Sequence, residues 1–147
     1  MPETYRTEST VVPTDSRRPA LRPADARRAV RGAVARQAVP CAAEALNDAL
    51  LVTSELTTNA ILHGGGITGF AVDVDGCAVR VSVSDRSDAI PVTEPAPDGR
   101  DRGRPGGRGW PIVCRLARDV EVAGLPRGGK RITAVVPLNR VGEPKFS

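Results

Sequence analysis

The stretch from Glu44 to His63, followed by Gly64-Gly65-Gly66, constrains this chain more than any other. Leu46, Ala49, Leu50, Leu56 and Ala60 recur near the helical period and predict a core-facing stripe. Glu55, Asn59 and His63 recur every four residues and line up along a second, polar stripe. A face that only has to be wet usually carries Lys, Arg and Glu, which also favour the helix. This one carries Thr57, Thr58, Asn59 and His63, all weaker helix formers. Solvation alone does not account for that choice.

A helix with such a face needs a sheet or other helices to cover its apolar side. The 147 residues suffice for one domain with a core. Before the central helix, Thr7 to Val12 fits a short edge strand. Pro23 to Val39 reads as a first helix, with Pro23 suited to the start and Asp25 to the positive end of the helix dipole. Ala26, Ala29, Val30, Ala33 and Val34 form its apolar face, Arg27, Arg28, Arg31 and Arg36 its outer side, and Pro40 ends it. After the glycines, Ile67 to Val74 predicts a strand. Asp75-Gly76 predicts a two-residue hairpin turn, and Cys77 to Ser84 the returning strand. There Val79, Val81 and Val83 alternate with Arg80, Ser82 and Ser84, as in an antiparallel sheet covered on one face.

From Arg86 to Arg108 no periodicity survives. Four prolines and four glycines make this a long functional or disordered loop. Gly109 to Ala117 predicts a short helix, Asp119 to Ala123 a strand, Pro126 to Gly129 a turn and Lys130 to Leu138 a last strand. The fold class is therefore α+β: a two-layer sandwich with helices on one sheet face. Residues 1–23 are expected as a partly loose arm, 24–138 as the domain and 139–147 as a tail.

Charge narrows the partners. The net charge is +4, and residues 1–36 hold all of that excess, eight arginines against Glu3, Glu8, Asp15 and Asp25. The remainder is balanced and aromatics are only 3%, so nucleic acid is not the expected partner. Cys41, Cys77 and Cys114 lie far apart and His63 is the only histidine, which argues against a zinc site or a disulfide framework. Each cysteine is expected to be a small buried residue. No apolar run approaches the roughly 20 residues that span a bilayer. The N-terminal stretch lacks the apolar core of a secretion signal, so the expected location is the cytoplasm.

Four features carry chemistry. Glu55 and Asn59 offer oxygen atoms suited to a hard cation such as magnesium, or simply a polar face on a half-buried helix. Asp85, at a strand end, can accept from an exocyclic amine such as that of adenine, or serve as a turn-forming aspartate. Gly106-Gly107-Arg108-Gly109-Trp110, leading into a short helix, suits phosphate oxygens or a flexible arginine-glycine loop. Gly129-Lys130 leads to Thr133 on the last strand, where a hydroxyl beside an adenine pocket can anchor a water; taken alone it is an ordinary hairpin. No Walker sequence or eukaryotic kinase signature is present.

The order of these pieces is more specific than any one of them. Ser54-Glu55-Leu56-Thr57-Thr58-Asn59-Ala60-Ile61-Leu62-His63-Gly64 resembles the N box of the GHKL ATPases, and within them the small bacterial branch of anti-sigma-factor serine kinases. Val83-Ser84-Asp85-Arg86-Ser87 resembles the adenine-binding aspartate box, and Gly107 to Val113 the glycine-rich second box. The resemblance implies a Bergerat-type sandwich of helices over a mixed, mostly antiparallel sheet, binding ATP and Mg2+. It implies Asn59 as magnesium ligand and Glu55 as the catalytic base on an attacking serine. It implies Asp85 for the adenine amine, with Ser87 in the same box. Gly107, Arg108, Gly109 and Trp110 would line the phosphates, Arg86 to Gly106 would form a lid, His63 would lie near the ribose or phosphates, and Thr133 would support the adenine end. The implied partners are a sigma factor and an anti-anti-sigma antagonist whose serine is phosphorylated; members often form homodimers. The alternative is a module that binds ATP or a partner without phosphotransfer. Trp110 and Pro111 depart from the usual second box, and Pro111 removes a backbone N–H near the phosphates while fitting a first helical turn.

Overall fold

Five strands and three helices follow from these segments in the computed structural model, which describes residues 8–12, 21–37, 41–75, 77–91 and 109–138. In chain order they are β1 (Glu8–Val12), α1 (Pro23–Arg36), α2 (Ala43–His63), β2 (Ile67–Val74), β3 (Ala78–Asp85), α3 (Gly109–Leu116), β4 (Asp119–Gly124) and β5 (Lys130–Pro137). The strands form one sheet in the order β1-β2-β3-β5-β4. Helices α1 and α2 pack on each other and on one face of that sheet, and α3 packs against α2. The α+β sandwich is as expected. All four ladders between the described strands are antiparallel, so the sheet is not mixed there. Two hairpins, β2–β3 and β4–β5, enforce that direction locally, and β5 returns alongside β3 in the same sense.

The core is mostly valine and alanine. Val72, Val74, Val79, Val81, Ala134 and Val136 on the covered sheet face are fully buried beneath Ala26, Val30, Ala33, Val52 and Leu56. The small residues of α1 let it lie close to α2, and Arg27 is not purely outward: its guanidinium donates to the Ser54 hydroxyl at 3.0 Å. α1 begins where Arg22 N–H donates to the Asp25 carboxylate at 3.0 Å. It ends at Arg36, with Gln37 extended; the stretch from 38 to 40, including Pro40, lies outside the described residues. The start of α2 is tied to the end of the sheet, because Ala42 N–H donates to the Leu138 carbonyl at 3.4 Å.

Three local readings change. Thr57 does not belong to the polar stripe. Thr53 and Thr57 are fully buried, and their hydroxyls donate to the Ala49 and Thr53 carbonyls at 2.7 and 2.8 Å. Bonding to the preceding turn lets threonine enter a core without an unsatisfied hydroxyl. The β2–β3 turn closes one residue later than Asp75-Gly76 suggests: Asp75 N–H donates to the Ala78 carbonyl, and its Oδ1 accepts the Ala78 N–H, both at 3.1 Å. The cysteines are free, but only Cys41 is partly buried, where desolvation raises its thiol pKa; Cys77 and Cys114 are exposed. Among the described residues no helix is long and apolar enough to cross a membrane.

Candidate functional site

Helix α2 carries the polar stripe along its open side. Glu55 and Asn59 are half-buried and His63 is exposed at the last turn. From Glu55 to His63 the stripe covers about 12 Å at the usual helical rise. Its two ends meet different parts of the chain. At the Glu55 end stands the start of α3, and at the His63 end stands the last residue of β3.

At the first end, Gly109 lies directly against Glu55. A methyl group at position 109 would overlap the Glu55 carboxylate where it stands, so the two are in direct contact. A carboxylate beside the first residue of a helix also faces the positive end of its dipole. Trp110 follows, half-buried and packed on the core edge. Pro111 is the third helical residue and exposed; in the first turn it costs α3 no internal hydrogen bond. Gly107 and Arg108, the other expected phosphate residues, lie outside the described residues, as does residue range 92–106 of the expected lid.

At the second end, Gly64 closes α2 and covers Asp85. Its N–H donates to the Ala60 carbonyl, its carbonyl accepts Arg86 N–H at 2.9 Å, and a side chain on it would overlap the Asp85 carboxylate. Gly65 and Gly66 then turn the chain with positive φ, and the Arg86 guanidinium donates to the Gly65 carbonyl at 3.0 Å. Thus the triple glycine does two things: it reverses the chain and brings backbone onto Asp85.

Asp85 is not an open carboxylate. Lys130 Nζ lies 3.0 Å from its Oδ2 and 3.1 Å from its Oδ1. The two side chains are only 3% and 6% exposed. Ser87 N–H also donates to Oδ1 at 2.9 Å, and Lys130 donates a further bond to the Ser87 carbonyl at 3.3 Å. Glycine at 129 permits this arrangement: with φ of 87°, it packs against the Asp85 backbone carbonyl where any side chain would overlap. Its N–H donates to Asp88 Oδ1 at 2.8 Å, which binds the segment after β3 to the β4–β5 turn.

Of the expected site residues, the fold therefore groups Glu55 with Gly109 and Trp110, and Asp85 with Ser87, with Asn59 and His63 on the helix between. It does not bring Thr133 to Asp85. Thr133 pairs with Ser82 on the uncovered face of the sheet, hydroxyl to hydroxyl at 2.9 Å. Strand alternation puts residues 130, 132, 134 and 136 on the covered face and Thr133 on the other. Lys130 is the site residue that sequence reasoning missed. Its parity with Ile132, Ala134 and Val136 was a readable sign that it points inward. Its partner was not readable, because Asp85 lies 45 positions away.

A cavity of about 620 Å³ borders Asp85 and Arg86, and Thr68 and the Leu125–Gly128 turn complete its wall. Among the described residues no three His, Cys, Asp or Glu side chains cluster to hold a metal ion.

The fold is a two-layer sandwich, helices over one face of an antiparallel sheet, with a polar helix stripe running from a glycine-led helix to a buried strand-end aspartate. The family model described as histidine kinase-like ATPase domain matches residues 17–136, and the chain belongs to that family. No curated protein matches the chain.

Proposed function

We propose that this ATP-binding domain is a transcription regulator of the anti-sigma type, which phosphorylates a serine on an antagonist protein and competes for a sigma factor. The observation that carries the reading is the packing of the Glu55 carboxylate against Gly109, with Asn59 one turn further along the same stripe. In this reading the Glu55 carboxylate would take the proton of the attacking hydroxyl. Asn59 would supply a protein oxygen to magnesium, which needs few protein ligands when it is bound with a nucleotide. When bound, magnesium and ATP supply a phosphoryl group whose charge is neutralised. The chain's own part is positioning: Glu55 and Asn59 lie one turn apart on the same helix, both half-buried, with Gly109 against Glu55. The same reading makes the protein cytoplasmic, with the sigma factor and the antagonist as partners and a homodimer as its assembly.

The test is calorimetric titration with ATP, with magnesium and with chelator, on wild type and Asn59→Ala, joined to transfer of label from γ-labelled ATP to candidate antagonist proteins. Asn59→Ala is expected to lose the magnesium-dependent part of the affinity. Glu55→Ala is expected to bind ATP and to lose transfer. Unchanged binding and transfer in both variants would reject this site.

A second reading is favoured by one observation. Asp85 is already held by Lys130, which fits a module that regulates its partner by contact, without phosphotransfer. Partner binding that is the same with and without ATP, in a protein showing no transfer, is its signature.

A further inference from the structure

Lys130 uses its charge at the very atoms that a purine amine would need. Its Nζ donates to Asp85 Oδ1, stands 3.0 Å from Oδ2 as an ion pair, and donates to the Ser87 carbonyl. Asp85 Oδ1 in turn accepts from Lys130 and from Ser87 N–H, and Oδ2 is held by the charge of the same ammonium. The Gly64 backbone closes over the carboxylate from another direction, so near that a methyl group would not fit, while Gly129 packs against the Asp85 backbone carbonyl. At 3% and 6% exposure the pair offers little surface even to the cavity that Asp85 borders.

We infer that Lys130 is an internal substitute for the adenine amine, so that this domain does not select its nucleotide by the 6-amino group of the base. The inference rests on the reading that this domain binds a nucleotide. A base amine gains a strong bond from Asp85 only by displacing Lys130 from it. That exchange leaves a buried ammonium without its carboxylate, which is unfavourable. Nucleotide affinity then comes from the ribose and phosphate contacts. Lys130 is thus a specificity-determining residue: its presence removes discrimination at the base.

The strand register explains why this lysine and not another does so. Lys130 stands directly opposite Asp85 in the β3–β5 ladder, on the covered face. Arg131, next in sequence, points to the other face, where its Nε donates to the Ser84 hydroxyl at 3.3 Å. A one-residue slip would exchange the two.

The experiment compares two ligands, ATP and purine riboside triphosphate, which lacks only the 6-amino group. Affinities are measured by calorimetry on wild type, Lys130→Thr and the double variant Asp85→Asn/Lys130→Thr. Threonine is short enough to make room, and its hydroxyl leaves Asp85 one donor. Wild type is expected to bind the two ligands within about threefold of each other, and Lys130→Thr to prefer ATP by about tenfold, the worth of a hydrogen bond to a charged acceptor. Binding seen only in Lys130→Thr, with that preference, supports the inference equally. The double variant is expected to lose the preference, which assigns it to Asp85. If Lys130→Thr does not fold, the wild-type comparison decides alone. A wild-type preference for ATP of about tenfold overturns the inference while leaving the nucleotide site standing. So does a folded Lys130→Thr that is indifferent to the amine. Binding of neither ligand to wild type or Lys130→Thr overturns the nucleotide reading, and this inference with it.

Discussion

Lys130 and Asp85 face each other across β5 and β3, in contact through both carboxylate oxygens at 3.0 and 3.1 Å and shielded from water. Such a pair is conditional in its energetics. Intact, it offsets its own desolvation; with one partner removed, the other is a buried charge. Lys130→Met is therefore expected to lower the unfolding free energy by about 3–5 kcal/mol, and Asp85→Leu/Lys130→Met to recover much of that loss. Urea unfolding of wild type, both single variants and the double variant closes the cycle. Additive losses would show that the two residues do not act as a pair.

Gly129 holds its φ of 87° against the Asp85 carbonyl. Gly129→Ala adds both a disfavoured backbone conformation, worth about 1–2 kcal/mol, and an overlap with backbone that cannot swing away. Gly124→Ala, where nothing lies within 4 Å and no positive φ is needed, is the matched control. Thermal melts are expected to show a large loss for the first and almost none for the second. Equal melting temperatures would mean that the β4–β5 turn is not packed on Asp85.

Two neighbouring threonines separate the buried and wet faces of α2. Thr57→Lys puts a charge into a fully buried position and is expected to prevent folding or to cost several kcal/mol, on the order of the burial penalties for an unpaired ion. Thr58→Lys, at a half-buried position on the other face, is expected to stay within about 1 kcal/mol of wild type. Circular dichroism during chemical unfolding distinguishes them.

Leu56 is 2% exposed and Leu51 is 41% exposed on the same helix. Leu56→Ala is expected to cost about 2–5 kcal/mol through lost burial and the cavity left behind. Leu51→Ala is expected to cost less than about 0.5 kcal/mol in the monomer. A large loss for Leu51→Ala that grows with protein concentration would instead identify that apolar face as an interface between copies.

Asp25 accepts the Arg22 N–H at the start of α1, and that bond, with Arg22 and Arg28 nearby, holds its pKa below the usual 3.8. A depressed carboxylate stabilises the fold fully above its ordinary pKa and loses the contribution as pH falls through the lower folded value. Asp25→Asn is expected to flatten the acid limb of the stability curve below pH 3.8, with little change in its shape at neutral pH. Denaturation midpoints across that acid range check it; an unchanged acid limb would mean that the cap is not formed.

Local patterning was enough for the layers. Periodicity at 3.6 and at 2 placed both long helices and the strands, because an apolar face must be buried whichever partner buries it. It also marked Glu55, Asn59 and His63 as one stripe, since four-residue spacing leaves no other arrangement on a helix. It misjudged Thr57, because a threonine hydroxyl that bonds its own helix is indistinguishable in sequence from one that meets water. Which inward side chains meet followed from how the strands pair. Asp85 and Lys130, 45 positions apart in sequence, belong to one site because β3 and β5 pair in a particular register, and that register is a property of the sheet. Thr133, three residues from Lys130 and therefore of opposite parity, was sent to the uncovered face by the same register. The helix stripe could be read from local spacing; the state of the aspartate at its end required the fold.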